Sequence, residues 1–234
     1  MTKLFAGILQ QIYNLIGSYG ITIVVFTILI RLVLFPLSIS QRKGMEANKR
    51  MQPKMAELQK KYGKDKEAYN QKVMELYKEE NFNPASGCLP MLIQIPIIFV
   101  LFKILRDPVP YLGAEALEQS FLWLPNMADP DLLINVIPGL SGALAKLPGI
   151  LPIIAAIFTY LTSKSAQMQQ APADPNQKPQ GPDMSMMTIM FPFMILMFGA
   201  SYPAGLILYW ALSNIIQFVQ DIVITRIVSS EDLS

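Results

Sequence analysis

The chain has 234 residues, of which 52% are hydrophobic and only 15% are charged, and its formal net charge is +2. Soluble domains carry about 25% charged residues, so the composition argues against a soluble protein and predicts one membrane domain. The chain has a single cysteine, Cys88, which excludes an internal disulfide. It has no histidine, the commonest general base. Because it also lacks nucleotide-binding and hydrolytic motifs, we expect neither a cofactor nor a bound metal, and no enzymatic activity.

The N-terminal segment is amphipathic. Apolar residues recur at helical spacing over positions 3–16, and Gly17 and Gly20 interrupt the pattern. Because an apolar stretch follows at once, we expect residues 1–20 to form a helix that lies on the outer membrane surface. A short buried helix is the alternative.

Five apolar segments follow, and each has the character of a membrane-spanning helix. We place these spans at residues 21–37, 87–105, 147–163, 184–200 and 203–224. Pro90 and Pro96 lie inside the second span, where neighbouring helices can satisfy the carbonyls that a proline leaves free. The predicted fold class is therefore all-α, a polytopic membrane protein with five transmembrane helices.

The segment between the first two spans, residues 38–84, is strongly charged. Positions 41–83 hold 11 of the 19 Lys and Arg residues and seven acidic residues. Two apolar helical stripes flank a turn at positions 63–65, which predicts two antiparallel amphipathic helices outside the membrane. The stripes consist of Met51, Met55, Leu58 and Tyr62, and of Tyr69, Val73, Leu76 and Tyr77.

Cations in the loops predict the orientation of the chain in the membrane. The basic hairpin is expected in the cytoplasm, which places the N-terminus outside and the C-terminus inside after five spans. The loop over residues 106–146 contains more acidic than basic residues and is predicted to lie outside. The linker over 164–183 and the tail over 225–234 are predicted to be cytoplasmic.

Arg31 is a charged residue inside the first predicted span. It lies six residues from the cytoplasmic end, which is about 9 Å at 1.5 Å per residue, and a charge at such depth costs about 3 kcal/mol. The side chain could bend to the interface, form an ion pair with Asp221, or face a water-filled cavity and attract an anionic ligand. Thr27 shares its helical face. Further polar groups in the spans could line such a cavity or form hydrogen bonds between helices: Gln94, Thr159, Thr162, Ser163, Asn214, Gln217 and Gln220.

Four stretches together resemble the YidC family of membrane-protein insertases, over nearly the whole chain. They are residues 27–36 (TILIRLVLFP), 51–62 (MQPKMAELQKKY), 87–96 (GCLPMLIQIP) and 203–214 (PAGLILYWALSN). The resemblance implies a five-helix membrane core with a cytoplasmic helical hairpin in a bacterial cell membrane. It also implies an insertase and chaperone that works without nucleotide hydrolysis.

The resemblance further implies a hydrophilic groove that contains Arg31, opens to the cytoplasm and to lipid, and is closed on the outer side. The implied groove positions are Thr27, Arg31, Ile98, Phe198, Tyr209 and Trp210, and we add Gln94 and Thr162. Hairpin contacts with partners are expected at Met51, Met55, Leu58, Tyr62 and Tyr69. The implied partners are newly made membrane proteins with acidic outer segments, membrane lipids, the Sec translocon, the targeting particle or its receptor, and the ribosome. No nucleic-acid binding by the chain itself is expected.

The sequence departs from the family in three respects. It includes no large extracytoplasmic domain with an additional N-terminal span, no lipoprotein signal with its cysteine, and no long basic C-terminal tail. The missing tail argues against strong direct ribosome binding. Two other functions compete with insertion: a small channel or transporter that uses Arg31 as an anion site, and a structural subunit with a cytoplasmic docking arm. No internal repeat is present, which disfavours a transporter.

Overall fold

The computed structural model describes residues 2–80, 89–170 and 184–231. These residues are mainly helical, which confirms the predicted all-α fold class. The α-helices of the described residues are α1 (Thr2–Ile16), α2 (Tyr19–Val33), α3 (Phe35–Tyr62), α4 (Lys66–Glu79), α5 (Leu89–Arg106), α6 (Val109–Leu112), α7 (Leu133–Val136), α8 (Ile150–Gln170), α9 (Met184–Gly199) and α10 (Ala204–Glu231).

Among the described residues, one helix is by itself long and apolar enough to cross a bilayer. It is α10, over Ala204–Ile227. Helices α2 and α3 together meet the same criteria, but they are bent by 52° at their junction, and α9 contains a shorter apolar segment at Thr188–Gly199. The arrangement of five spans therefore stays a prediction.

The junction between α2 and α3 falls earlier than expected. The first predicted span ends at Leu37, whereas α2 ends at Val33 and α3 begins at Phe35. Pro36 consequently lies in the first turn of α3. Backbone N–H groups in a first turn have no partner within the helix, so the missing N–H of proline costs little there.

Two helices run past the ends of the predicted spans. Helix α8 continues to Gln170 and α10 to Glu231, whereas the corresponding spans were predicted to end at residues 163 and 224. Neither stretch contains a Gly or Pro at the predicted end, so the helical hydrogen bonding continues into polar residues. Residues 171–183 of the predicted linker lie outside the described residues, as do residues 81–88, which include the end of the predicted hairpin and the start of the second predicted span.

The main hydrophobic core lies at one end of the bundle, where α2, α8 and α10 begin. In α2 the buried residues run from Tyr19 to Thr27 and stop one turn before Arg31. Core side chains of the other elements include Leu9, Leu101, Ile104, Leu105, Leu124, Met127, Leu151 and Ala204. The core is therefore adjacent to Arg31 but does not surround it.

The connection over residues 107–149 closes this end of the bundle. The first N–H groups of a helix have no intrahelical acceptor and need partners from outside the helix. The Gln119 Oε1 atom accepts a hydrogen bond from the Tyr19 backbone N–H at 2.8 Å, at the start of α2. The backbone carbonyls of Asp129 and Met127 accept from the first two N–H groups of α10, at 2.9 and 3.2 Å.

Asp131 performs the same task for α8, and its side chain is fully buried. Its Oδ2 atom accepts from the Leu151 backbone N–H at 2.7 Å, and its Oδ1 atom accepts from the Trp123 Nε1–H at 3.2 Å. A Cβ at Gly149 would come within 2.3 Å of Oδ1, so only glycine allows this approach. Burial raises the pKa of the Asp131 carboxyl above its usual value, and the hydrogen bonds oppose that effect.

Helices α3 and α4 pack against each other as an antiparallel pair. Asp65 caps α4 by accepting backbone N–H groups of Glu67 and Ala68, each at 3.1 Å. Across the pair, the Lys54 ammonium contacts the Glu80 carboxylate. Residues near the end of α4 thus lie beside the middle of α3, as two helices that reverse direction at a short turn require.

Candidate functional site

The Arg31 guanidinium is bound by uncharged groups of α10. Its Nε and Nη2 atoms donate to the Ser213 Oγ atom at 3.0 and 2.7 Å, and its Nη1 atom donates to the Gln217 Oε1 atom. Ser213 and Gln217 are four residues apart, so they lie on one face of the helix. In the described part of the chain Arg31 forms no direct ion pair with Asp221, which was one of the three interpretations of its position.

Helix α10 also fixes the backbone beside Arg31. The Gln220 Nε2 atom donates to the Arg31 carbonyl oxygen at 3.2 Å, and Gln220 is buried. Tyr209 is buried one turn before Ser213, and its hydroxyl lies within electrostatic range of the Arg31 charge. The guanidinium and its backbone carbonyl are therefore both held by one helix.

Thr27 lies one turn before Arg31 and is fully buried. Its hydroxyl donates to the Ile23 carbonyl oxygen at 2.6 Å, within the same helix. This is the common local bond of a threonine inside a helix. Because the hydroxyl hydrogen is used in this bond, the Thr27 side chain can only accept a hydrogen bond from a ligand, through the lone pairs of its oxygen.

Trp210 of α10 contacts α8, and Thr162 lies within α8. The Trp210 Nε1–H donates to the Thr159 Oγ1 atom at 3.3 Å, and the indole lies 6.2 Å from the Phe191 ring of α9. The Thr162 hydroxyl donates to carbonyl oxygens of its own helix, at 2.9 and 3.0 Å. Trp210 thus connects three helices through its ring.

Ile98 and Phe198 are not brought to Arg31 by any described contact. Ile98 is partly buried in α5, and Phe198 is exposed near the end of α9. The Phe198 ring is 6.3 Å from the Tyr202 ring, just before α10 begins, whereas Ser213 lies about 14 Å further along that helix. The side chain of Gln94 lies outside the described residues.

The predicted partner contacts of the hairpin differ in accessibility. Met51 is only 4% exposed, so little of its side chain is accessible to a partner. The Met55 sulfur accepts a hydrogen bond from the Tyr77 hydroxyl at 3.7 Å, and burial raises the pKa of Tyr77. Leu58, Tyr62 and Tyr69 are partly exposed.

Ser213 is the main site residue that sequence reasoning missed. Its hydroxyl accepts two of the hydrogen bonds from Arg31, yet serine is common in helices and drew no attention. The available signal was its spacing of four residues before Gln217, one of the polar residues already noted in the fifth predicted span. Helical periodicity extended by one turn would have found it.

A family model described as "60Kd inner membrane protein" matches residues 11–231. The chain belongs to this family. A protein of Fusobacterium nucleatum named "Membrane protein insertase YidC" is 35% identical over 97% of this chain and 95% of its own length. A Clostridium perfringens protein of the same name is 37% identical over 94% of this chain and 87% of its own length.

Other relatives in the YidC family are much longer. The chain spans only 36% of the Rhizobium meliloti relative of that name, with 36% identity over 97% of this chain. A solved structure described as "Active YidC insertase crystal structure with the first transmembrane domain resolved" is similar, with a TM-score of 0.57 and 27% identity. That similarity covers 93% of this chain and 45% of the solved one. The resemblance to the YidC family that the sequence indicated is thereby confirmed.

Proposed function

We propose that the chain is a membrane protein insertase and chaperone that works without nucleotide hydrolysis. It takes the hydrophilic part of a substrate into a positively charged site within the membrane and releases the hydrophobic part into lipid. The observation that carries this proposal is the coordination of Arg31 by Ser213 and Gln217. These ligands are uncharged, so the positive charge of the site is available to a negatively charged visitor.

The physical reason is the low dielectric constant of the surroundings. Two unit charges 4 Å apart attract by about 1 kcal/mol in bulk water and by about 4 kcal/mol at an effective dielectric constant of 20. A carboxylate can also accept two parallel, charge-assisted hydrogen bonds from one guanidinium with one oxygen for each donor, whereas Ser213 offers a single neutral oxygen to two donors. An acidic segment would therefore replace neutral ligands with a stronger partner.

The proposed transmembrane arrangement uses five helices, α2, α5, α8, α9 and α10. At 1.5 Å per residue the 15 residues of α2 and the 16 residues of α9 extend about 22 to 24 Å, less than a bilayer core of about 30 Å. Short spans thin the adjacent bilayer. Thinning and a polar site part-way across would both lower the barrier for a hydrophilic segment without ATP.

The remaining groove positions and partners belong to the same proposal. Substrate contacts are proposed at Thr27, Tyr209 and Trp210, together with Ile98, Phe198, Gln94 and Thr162. The α3–α4 hairpin is proposed to face the cytoplasm and to contact the targeting machinery, the Sec translocon, the ribosome or the nascent chain. The substrates are newly made membrane proteins with acidic outer segments. A bacterial cell membrane is the proposed location.

Complementation tests this function directly. The gene is placed in cells depleted of their own insertase, and insertion of a single-span substrate with an acidic outer tail is followed by protease protection of the tail. We expect the wild-type chain to restore insertion. A well-expressed wild-type chain that leaves insertion at the depleted level would overturn the proposal. Anion flux through the purified chain in liposomes, without insertion, would instead support a channel.

A further inference from the structure

The polar face of α10 extends beyond the ligands of Arg31. Ser213, Gln217, Asp221 and Thr225 recur every four residues and so form one stripe on the helix, about 18 Å long. We call this set the α10 stripe. Arg31 of α2 binds its first two members.

A second arginine binds the other end of the α10 stripe. The Arg42 Nη2 atom donates to the Thr225 Oγ1 atom at 2.6 Å, and its Nε atom lies 3.7 Å from a carboxylate oxygen of Glu46. The Arg42 side chain is only 12% exposed, and its Nε–H has no hydrogen-bond acceptor among the described residues. Arg42 is therefore a largely buried cation whose donors are incompletely satisfied.

Asp221 lies between the two arginines on the α10 stripe. Gln217, which precedes Asp221 by one helical turn, accepts a hydrogen bond from Arg31 through its side-chain carbonyl oxygen. The Asp221 carboxylate lies within electrostatic range of both guanidinium groups. Thr225, one turn after Asp221, binds Arg42, so Asp221 stands between the two arginine contacts and is attracted by both cations.

We propose that Asp221 is an internal counter-ion that competes with the acidic residue of a substrate for Arg31. This inference rests on the proposed insertase function. A fixed negative charge one helical turn beyond Gln217 reduces the positive potential at Arg31, so a weakly acidic segment is not retained. Arg42 limits this competition, because its attraction keeps the Asp221 carboxylate away from Arg31.

Two substitutions have opposite expected effects. In Asp221→Asn the competing charge is lost while the size and hydrogen bonding of the side chain are nearly kept. In Arg42→Gln the cation that attracts Asp221 is lost, so the carboxylate can turn toward Arg31. The first variant should relax the requirement for acidic residues in a substrate, and the second should tighten it.

The experiment measures insertion of a single-span substrate whose outer tail carries zero, one, two or three acidic residues. Wild type, Asp221→Asn and Arg42→Gln are compared in insertase-depleted cells at equal abundance in the membrane. Glu57→Gln is the matched control, because it removes one negative charge from an exposed position of α3. Insertion of the three-acid tail by the wild type tests the proposed function separately.

We expect Asp221→Asn to raise insertion of the one-acid tail about threefold to fivefold, the size of losing one partly hydrated charge interaction. Arg42→Gln should lower it by a similar factor, and Glu57→Gln should match the wild type. An unchanged dependence on acid number in Asp221→Asn would overturn the inference while the wild type still inserts the three-acid tail. Should Asp221→Asn fail to accumulate, Arg42→Gln decides, because an unchanged or increased one-acid insertion contradicts the competition.

Discussion

Arg31 keeps its charge inside a helix bundle with the help of three hydrogen bonds that it donates to neutral acceptors. A hydrogen bond to a charged group contributes about 1.5 to 3 kcal/mol, so this set can offset the insertion cost of about 3 kcal/mol. A permanent acid is therefore not required for stability. The residue can be stable in the resting protein and still bind a carboxylate.

Substitution of Arg31 separates its charge from its shape. We expect Arg31→Ala to abolish insertion of substrates with acidic outer tails, and Arg31→Lys to keep much of it, because lysine retains the positive charge. Protease protection of the tail in depleted cells provides the measurement. Arg226→Ala, an exposed position near the end of α10, is the matched control. Equal activity of the alanine and lysine variants would show that the charge is not what matters.

The sequence reveals Arg31 but not its ligands. A charge within an apolar run is visible without any structure, and the polar residues of α10 can be grouped by helical spacing. The contact between α2 and α10 joins residues 182 positions apart, and no local pattern specifies that pairing. The family resemblance supplied the groove positions, and the structure gives Ile98 and Phe198 no described contact with Arg31.

Asp131 gives the stability of the protein a pH dependence of unusual sign. Because burial raises the pKa of its carboxyl above the unfolded value of about 3.9, the folded chain binds this proton more tightly than the unfolded chain. The contribution of Asp131 is thus complete below about pH 4 and is lost as the pH rises through the folded-state pKa. We expect the melting temperature of the wild type, minus that of Asp131→Asn, to increase as the pH falls from 7 to 4.

Thermal unfolding in detergent at several pH values measures this difference. The matched control is Glu118→Gln, which changes an exposed carboxylate in the same connection. Its melting-temperature difference from wild type should stay nearly constant over the same range. If the melting temperature of the wild type, minus that of Asp131→Asn, decreased on acidification, the raised pKa of Asp131 would be contradicted.

At the scale of elements, the hairpin has both buried and exposed apolar residues. Met51, Ala56 and Val73 are buried but lie outside the main core. Met74 is 58% exposed, although it follows the buried Val73 directly in α4. Apolar periodicity located both helices, but it could not tell which apolar residues pack within the pair.

This difference in burial predicts a pattern of crosslinking. A photo-crosslinking amino acid at Tyr69, or at Met55, should capture the nascent chain or a component of the targeting machinery. The same probe at buried Met51 should capture much less, and it serves as the matched control. The products are identified by mass spectrometry from cells. Absence of partner crosslinks from both Tyr69 and Met55 would exclude the proposed role of the hairpin.

Helix boundaries were harder to predict than helix positions. The α2–α3 junction falls at Leu34 because Pro36 suits the first turn of a new helix as well as it suits the end of an old one. Helices α8 and α10 extend past the predicted span ends because each predicted span was ended where the apolar run gives way to polar residues. Helical hydrogen bonding does not depend on polarity.

At the scale of the whole molecule, the five-span arrangement predicts the sides on which two exposed positions lie. In a Cys88→Ser background, single cysteines are introduced at Ser141 in the connection and at Lys64 in the hairpin turn. A membrane-impermeant thiol reagent should label Ser141→Cys in intact cells and Lys64→Cys only after permeabilisation. The reverse pattern would invert the orientation, and labelling of both from one side would exclude an odd number of spans between them.

The closed end of the bundle has a consequence for water. Since Gln119, Met127, Asp129 and Asp131 provide acceptors for N–H groups at the starts of three helices, those groups need no solvent partner. Around Arg31 the contacts are polar, and the main core has ended one turn earlier. We therefore expect a gradient of hydration along the bundle axis, dry at the closed end and wet around Arg31. On that gradient a polar chain would meet a rising dehydration cost as it advances, so its depth of entry would be set by thermodynamics rather than by a physical stop.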